Sequence, residues 1–460
     1  MRARVLVFSC AVGLLLASVS MNPLAWVLSI VAIVIYVSLH FKPGEFPIAL
    51  MAFAIPALEI VTSLVNVELS GLTLKEGFGN GGKTAYVLSI LAFVSFMVGF
   101  QLFRKKEVFR ETNGVKEALA GITMERLVVA HLLLTALAFV LRGFFGYGSA
   151  FFQLVVHFEK FPLLVLYLIG WKFLLEKRDK GLVAVVFGFN LVIRLTGFFS
   201  EWKELLFLLV FVILGASEKL SAGVVRRLSA IFAVGVMFVL TWQGVKMEYR
   251  QFLNGGRNSQ AVVVGNAEAI GKFVELTRGF WMNDETTDDK GDIVQSTLDR
   301  LGYLEFFART VDRVPDHIDH ERGQLLSDNL TFALVPRILN PNKGVKNDQA
   351  KVEYYANRPV SDHSSFSLGR YAEWYVDFGG FGMMVFAFLV GGLGSRIPSL
   401  IPRSENAAMS LVDAAFVMLT FQLWMSYQAD EIKIYGQTLW GTLVFLTFGR
   451  RLISSTLGIR

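Results

Sequence analysis

Long apolar runs recur along the whole chain and restrict what it can fold into. Most of them approach the roughly 20 residues that an α-helix needs to cross about 30 Å of hydrocarbon. Only 18% of the residues are charged, against about 25% in a typical soluble domain. The sequence therefore predicts an all-α polytopic integral membrane protein with about twelve transmembrane helices. The predicted spans cover residues 5–20, 24–40, 46–66, 86–103, 127–141, 161–175, 182–199, 205–217, 228–243, 379–395, 407–427 and 437–448.

The distribution of lysine and arginine predicts the orientation of these spans, because cytoplasmic loops hold an excess of both residues. The termini and the loops on one predicted side carry twenty of them. The short loops on the other side carry six, namely Lys75, Lys83, Arg142, Lys160, Lys203 and Lys433. We therefore expect both termini in the cytoplasm, with the first span retained. The net charge of +6 then needs no nucleic-acid partner.

One long polar segment separates two groups of spans. It covers residues 246–376 and follows nine spans within residues 1–245, while three more lie within residues 377–460. The predicted topology places this segment outside the cell membrane as a single large loop. It is the only polar segment in the sequence that is long enough to form a small domain.

The loop contains a predicted amphipathic helix, because apolar residues recur at helical spacing from Val294 to Val314. Such a helix lies on the protein or on the lipid headgroups. Glu305, Arg309 and Arg313 are spaced four apart on another face of it. They form either a solvated ladder of ion pairs or a surface that binds phosphate.

Two later segments of the loop carry residues suited to chemistry. In the first, Arg337 and Lys343 lie in a stretch with two prolines, which restrict the backbone and can present both cations to an anion. The alternative is an ordinary rigid surface turn.

The second segment contains His363 and leads into the tenth span. If it is helical, one face combines a cation, two carboxylates and an aromatic ring: Arg370, Glu373, Trp374 and Asp377. An internal salt bridge with an interfacial Trp is the alternative.

Arg194 lies within the seventh span, where an ionisable residue is a functional candidate. It can instead extend its side chain to the membrane surface. Further charged residues lie at the same outer side, namely Arg142, Glu201, Lys203, Asp430 and Glu431. Cations and carboxylates at one membrane face suit a lipid-linked phosphate and a polar acceptor.

Neither the acidic stretch at 284–292 nor the histidines at 317 and 320 have the spacing of a metal site, so no metal is expected.

The order and wording of these loop motifs resemble the Wzy-type O-antigen polymerases, also called oligosaccharide repeat-unit polymerases. That family shows an arginine-containing amphipathic helix, a Pro-Arg-x-Leu-x-Pro-x-Lys segment and a Gly-x-x-Glu-x-Tyr-x-Asn-Phe-Gly-like entry to the next span. The corresponding segments here are 299–301 onward, 336–343 and 369–379. This sequence has Asp377 where the family usually has Asn, and Asn340 at a position that is often aromatic.

The resemblance implies a bacterial inner-membrane enzyme that polymerises undecaprenyl-diphosphate-linked oligosaccharide units on the periplasmic face, in contact with membrane lipid. It implies a chain-length regulator protein as a partner, no nucleic acid, no nucleotide sugar, no metal and no other cofactor. The diphosphate-binding candidates are Arg194, Arg337, Lys343 and Arg370. Glu373 is the preferred base for the acceptor hydroxyl, with Asp377 and His363 as alternatives.

Two other functions remain open. An O-antigen ligase uses the same donor but transfers the finished polymer to lipid A core, and only the loop motifs favour a polymerase. A polysaccharide-lipid transporter would have a similar number of spans, but a loop of this size and the absence of a repeat between the two halves of the sequence argue against it. Transferases fed by polyprenyl monophosphate sugars usually carry acidic residues in the first outer loop, and residues 21–23 contain none.

Overall fold

The computed structural model describes most of the chain, namely residues 11, 13–40, 48–104, 113–145, 151–198, 202–217, 221–257, 262–282, 293–298, 302–335, 339–340, 348–359, 367–402, 404–424 and 431–459. Every regular element within these residues is helical, as the sequence predicts. The first ten helices are α1 (Pro23–His40), α2 (Ile48–Leu69), α3 (Leu74–Phe78), α4 (Gly82–Phe103), α5 (Asn113–Ala120), α6 (Met124–Phe144), α7 (Phe152–Phe158), α8 (Phe161–Glu176), α9 (Lys180–Leu195) and α10 (Lys203–Gly215).

The remaining helices contain the longest one and the segment predicted to form the outer loop. They are α11 (Ala222–Leu253), α12 (Asn266–Met282), α13 (Leu304–Arg313), α14 (Gln324–Leu334), α15 (Asp348–Ala356), α16 (Arg370–Gly394), α17 (Ala407–Trp424), α18 (Glu431–Val444) and α19 (Arg450–Leu457). Six helical segments are long and apolar enough to cross a membrane: Pro23–His40, Gly82–Phe103, Met124–Phe144, Leu154–Glu176, Ala222–Leu253 and Arg370–Leu400. The membrane-type helical class is thus confirmed, and the count of twelve spans stays a prediction.

Helices α4 and α16 form the most extensive helix pair of the described chain and run parallel. Gly380 lies beside Leu88 near one end, and Gly391 lies against the backbone of Phe96 further along. Small residues let helix backbones approach closely, which is how helices gain packing energy in lipid. Because the two helices are parallel, their first turns lie at the same end of the bundle.

Helices α13 to α15, which we call the α13–α15 layer, cover that end, while α12 packs against α11 and α9 elsewhere. Gly302, just before α13, accepts a 2.9 Å hydrogen bond at its carbonyl from the Ser63 hydroxyl near the end of α2. The backbone of Ala308 in α13 lies against Gly81, which precedes α4. At the other side of the layer, the Trp440 indole of α18 donates to the Ala333 carbonyl at 3.1 Å. The sequence predicts Ser63, Gly81 and Trp440 to lie in or beside the outer halves of their spans, on the same side of the membrane.

The predicted continuous helix from Val294 to Val314 is wrong, because two helical pieces replace it. Residues 293–298 and α13 are helical, but Tyr303 between them adopts a left-handed conformation with φ of 53°. Gly302 packs directly against Ser63 there, so a distant contact interrupts a helix that the periodicity alone would continue. The Tyr303 hydroxyl bonds to both the backbone carbonyl and, at 3.0 Å, the amide of Ser367.

Gly391→Ala should destabilise the protein, because a β-carbon at this position would overlap the carbonyl oxygen of Phe96. Overpacking of this kind costs about 1–3 kcal/mol. Gly188→Ala in α9 is the matched control, since no atom lies within 4 Å of a β-carbon there and alanine favours a helix over glycine by about 1 kcal/mol. Thermal unfolding of the two purified variants in detergent should give a lower Tm for Gly391→Ala and an unchanged or higher Tm for Gly188→Ala. Equal effects would contradict the close α4–α16 packing.

Candidate functional site

Glu373 lies at the centre of a hydrogen-bonded cluster where three helices meet. Its side chain is on the first turns of α16, and the residue is only 2% exposed. One carboxylate oxygen accepts a 3.0 Å hydrogen bond from the Asn329 amide of α14. The other lies 3.3 Å from the Lys351 ammonium of α15. Lys351 also donates to the Asn329 side-chain oxygen at 2.9 Å, so the three groups form a closed triangle, which we call the Glu373 triangle.

The local sequence holds Glu373 at this position. Gly369, with φ of 93°, ends the preceding loop in a conformation that favours glycine. Its carbonyl accepts the Glu373 amide at 3.0 Å, which starts the helix. Helix α16 then continues to a break at Gly379, where φ is 67°. The segment from Arg370 to Asp377 is thus helical, which is the condition under which Arg370, Glu373, Trp374 and Asp377 share one face.

Asp377 binds the beginning of another helix with both of its carboxylate oxygens. One accepts the Leu325 amide at 3.0 Å and the other accepts the Leu326 amide at 2.8 Å. The first amides of an α-helix have no partner within that helix, and a carboxylate satisfies them well. Asp377 is 3% exposed, so its geometry is that of a residue that fixes α14 onto α16.

Arg370 is also buried, with 2% of its surface exposed. Its guanidinium lies 5.4 Å from the centre of the Trp374 ring, one helical turn further along α16. This distance is within the range of a cation–π interaction. The buried Glu59 of α2 and Arg370 both act electrostatically on Tyr371, so charges of both signs surround the start of α16. Arg370 thus lies beneath the protein surface in this structure.

Arg194 lies in a different polar cluster. Its guanidinium donates to the Glu204 carboxylate of α10 at 2.6 Å, and its side chain is 12% exposed. Arg142 and Glu159 form a second ion pair at 3.2 Å, and Arg194 acts electrostatically on Glu159. Helix α9 packs against α8 and α12, whereas α16 packs against α4, α13 and α14. The described contacts therefore do not join Arg194 to the Glu373 triangle.

Three predicted site residues, Arg337, Lys343 and His363, lie outside the described residues. Glu201, Asp430 and the acidic stretch at 284–292 do so as well. Within the part of the chain that the structure describes, no group of three or more His, Cys, Asp or Glu side chains has the arrangement of a metal site.

Of the two alternatives for Glu305, Arg309 and Arg313, the ion-pair ladder forms in part. Arg309 donates to the Glu305 carboxylate at 3.0 Å, and Arg358, which follows α15, pairs with the same carboxylate. The Arg358 guanidinium also lies 5.1 Å from the centre of the Phe306 ring. Through Arg358, these charged residues connect α13 to the end of α15 instead of forming a separate group on the solvent-exposed surface. In the described chain, the side chain of Arg313 makes no ion pair with it.

A further contact joins α15 to the turn before α14. The Tyr355 hydroxyl donates to the Glu321 carboxylate at 2.7 Å. Burial, together with this bond to a carboxylate, raises the pKa of Tyr355. The neighbouring His320 ring bonds to the Val376 carbonyl at 3.1 Å, beside the break at Gly379. The turn before α14 therefore connects α15 to α16 beside the Glu373 triangle.

Sequence reasoning missed Lys351, Asn329 and Glu59. Lys351 and Asn329 lie on short helices of ordinary polar composition, and only the fold brings them to Glu373. Glu59 carried a usable signal, because it is an acidic residue within a predicted span.

The helices and their apolar surfaces define an all-α protein of the membrane-spanning kind. Residues 82–402 match the family described as a domain of unknown function, DUF8712, and the chain belongs to that family. The matched region begins at the first residue of α4 and extends beyond the end of α16, so it contains the helix pair and the whole α13–α15 layer. No curated protein and no solved structure matches the chain.

Asp377→Ala should lower stability, because the first amides of α14 lose both acceptors. Loss of such a cap costs about 1–2 kcal/mol. Asp377→Asn keeps one acceptor oxygen and should lose less. Thermal unfolding of both purified variants in detergent tests this ranking, and an unchanged Tm for Asp377→Ala would contradict the role assigned to its carboxylate.

Proposed function

We propose that the chain is a membrane glycosyltransferase that polymerises undecaprenyl-diphosphate-linked oligosaccharide repeat units into O-antigen or exopolysaccharide. The observation that carries this proposal is the position of Glu373. It is a buried carboxylate in the segment that resembles the polymerase motif, it lies beside an ammonium group, and it occupies the boundary between the helix bundle and the α13–α15 layer.

The proposed reaction needs a base and cations in one place. A hydroxyl of one lipid-linked unit attacks the anomeric carbon of the growing chain, and a new glycosidic C–O bond forms. The C–O bond to diphosphate breaks, and undecaprenyl diphosphate leaves with the bonding electrons. The hydroxyl proton passes to the Glu373 carboxylate. Because the leaving group is already stable, the protein mainly orients the acceptor and neutralises charge on the diphosphate.

The described contacts refine the roles proposed for individual residues. Asp377 accepts two backbone amides, which favours Glu373 over Asp377 as the base. Arg194 is paired with Glu204, and Arg370 is buried beside Trp374, so both would have to change partners to reach a diphosphate. Arg337 and Lys343 stay candidates for that role, and His363 stays an alternative base.

We place the reaction on the periplasmic face of the bacterial inner membrane, with both termini in the cytoplasm. The lysine and arginine distribution supports this orientation. The contacts of the α13–α15 layer with Ser63, Gly81 and Trp440 support it as well, because the charge distribution places all three residues in or beside the outer half of a predicted span. The partners proposed from the resemblance are the lipid-linked oligosaccharide and a chain-length regulator protein.

Glu373→Gln should abolish chain growth at a normal protein level, because the acceptor hydroxyl loses its base. The measurement is gel analysis of surface and lipid-linked glycan from cells that lack the protein and carry either the wild type or the variant. Glu275→Gln in α12 is the matched control, since its side chain is 68% exposed and belongs to a surface ion pair; it should leave the polymer ladder intact.

The same gels separate the alternatives. Loss of the ladder with a single repeat unit still transferred supports a polymerase. Full-length polymer that accumulates on undecaprenyl diphosphate in cells lacking the protein would instead indicate a ligase. Unchanged glycan in those cells would contradict both enzymes and return the question to transport.

A further inference from the structure

Helix α11 is longer than the hydrocarbon layer of a membrane is thick. Its 32 residues extend over about 48 Å at 1.5 Å per residue, whereas the hydrocarbon layer measures about 30 Å. No charged residue occurs in the sequence between Arg227 and Lys246. The stretch between them is about 27 Å long, so it fits the hydrocarbon layer, and the last two turns of α11 extend beyond it.

Helix α12 runs back along α11 towards the membrane. Near the middle of α12, the Lys272 ammonium lies 3.3 Å from the Glu248 carboxylate, which belongs to the last two turns of α11. At the end of α12, the Trp281 indole donates to the Thr241 hydroxyl at 3.0 Å. Thr241 precedes Lys246 by five residues, or about 7 Å along the helix axis towards the membrane centre. The last turn of α12 therefore lies beside the uncharged stretch of α11.

The last three residues of α12 carry apolar side chains, and we call them the α12 tip: Phe280, Trp281 and Met282. The Phe280 ring packs against Gly244 of α11. Trp281 is 46% exposed and Met282 is 68% exposed. Exposed apolar surface costs about 25 cal/mol per Å² in water, and contact with lipid removes that cost.

The surroundings of the α12 tip favour lipid as its partner. Met237, one turn further into the uncharged stretch of α11 than Thr241, is 57% exposed, and only 11% of the most apolar part of α11 is buried within the protein. The tip is therefore continuous with a surface that faces lipid when α11 spans the membrane.

A cation lies one helical turn before the end of the tip. Arg278 donates from Nε to the Met282 sulfur at 3.3 Å, in an exposed position. A long arginine side chain can cover apolar surface while its charge reaches the level of the lipid phosphates. Tryptophan is enriched at the same boundary. Arginine and tryptophan at the exposed end of a short helix are typical of a helix that lies in the membrane interface.

We propose that the α12 tip inserts into the lipid leaflet at the C-terminal end of α11, which the charge distribution places on the outer side of the membrane. The partner is the bilayer itself, and the contact fixes the depth of α12 beside α11. This contact does not depend on the reaction that the protein catalyses, so its test is independent of the proposed glycosyl transfer.

Spin labelling of the full-length protein in liposomes of phosphatidylethanolamine and phosphatidylglycerol tests the insertion. The chain has one cysteine, Cys10, so a Cys10→Ser background allows a single nitroxide at a chosen position. Oxygen concentrates in lipid and a nickel chelate stays in water, so the ratio of their collision rates with the nitroxide reports its depth. This oxygen-to-nickel ratio should be severalfold higher for Met282→Cys than for Glu268→Cys, the matched control at an exposed position in the first turn of α12.

Gly279→Cys is a second probe that keeps the test independent of the Met282 side chain, because no atom lies within 4 Å of a β-carbon at Gly279. Its ratio should also exceed that of residue 268. Val234→Cys, at a position of α11 that is 55% exposed, is the reference for a label in lipid.

Equal ratios at residues 282, 279 and 268 would place the tip in water and overturn the proposal. Protection of residue 282 from both oxygen and nickel would indicate that a second protein copy covers the tip, which would contradict the proposal as well. A label at residue 234 that collides mainly with nickel would show that α11 does not span the membrane, and the inserted tip would then have no basis.

Discussion

The close parallel packing of α4 against α16 determines where the candidate site lies. Gly99 and Gly391 allow the two backbones to approach at positions where a β-carbon would overlap a carbonyl oxygen. This contact fixes the position of α16 along α4. The first turns of α16 carry Glu373 and Asp377. The family match spans both helices and everything between them, and α13 and α14 pack directly against α16.

Buried charges then fix the α13–α15 layer onto the helix pair. Each is matched by a group from another helix: Asp377 by the first amides of α14, and Glu373 by α14 and α15 together. An unmatched buried charge costs several kcal/mol, so these contacts specify one arrangement of the short helices. They also leave the Lys351 side chain 19% exposed beside the Glu373 side chain, which is 2% exposed.

The sequence predicted the parts of this architecture that depend on local pattern. The apolar runs at 86–103 and 127–141 lie within α4 and α6, and the motif around Glu373 is helical, the condition that the sequence left open. It could not predict the break at Tyr303, because the apolar spacing continues across it and the cause is Ser63, far away in the chain. It also could not identify Lys351 or the helix-capping role of Asp377, since both depend on tertiary partners that leave no local pattern.

Reconstitution of the purified protein with its lipid-linked substrate tests the central claim most directly. Proteoliposomes would contain undecaprenyl-diphosphate-linked repeat units extracted from cells that lack the protein, with no nucleotide sugar added. The account predicts oligosaccharide chains of increasing length and the release of one undecaprenyl diphosphate for each linkage formed. Repeat units that stay single, with no undecaprenyl diphosphate released, would contradict it.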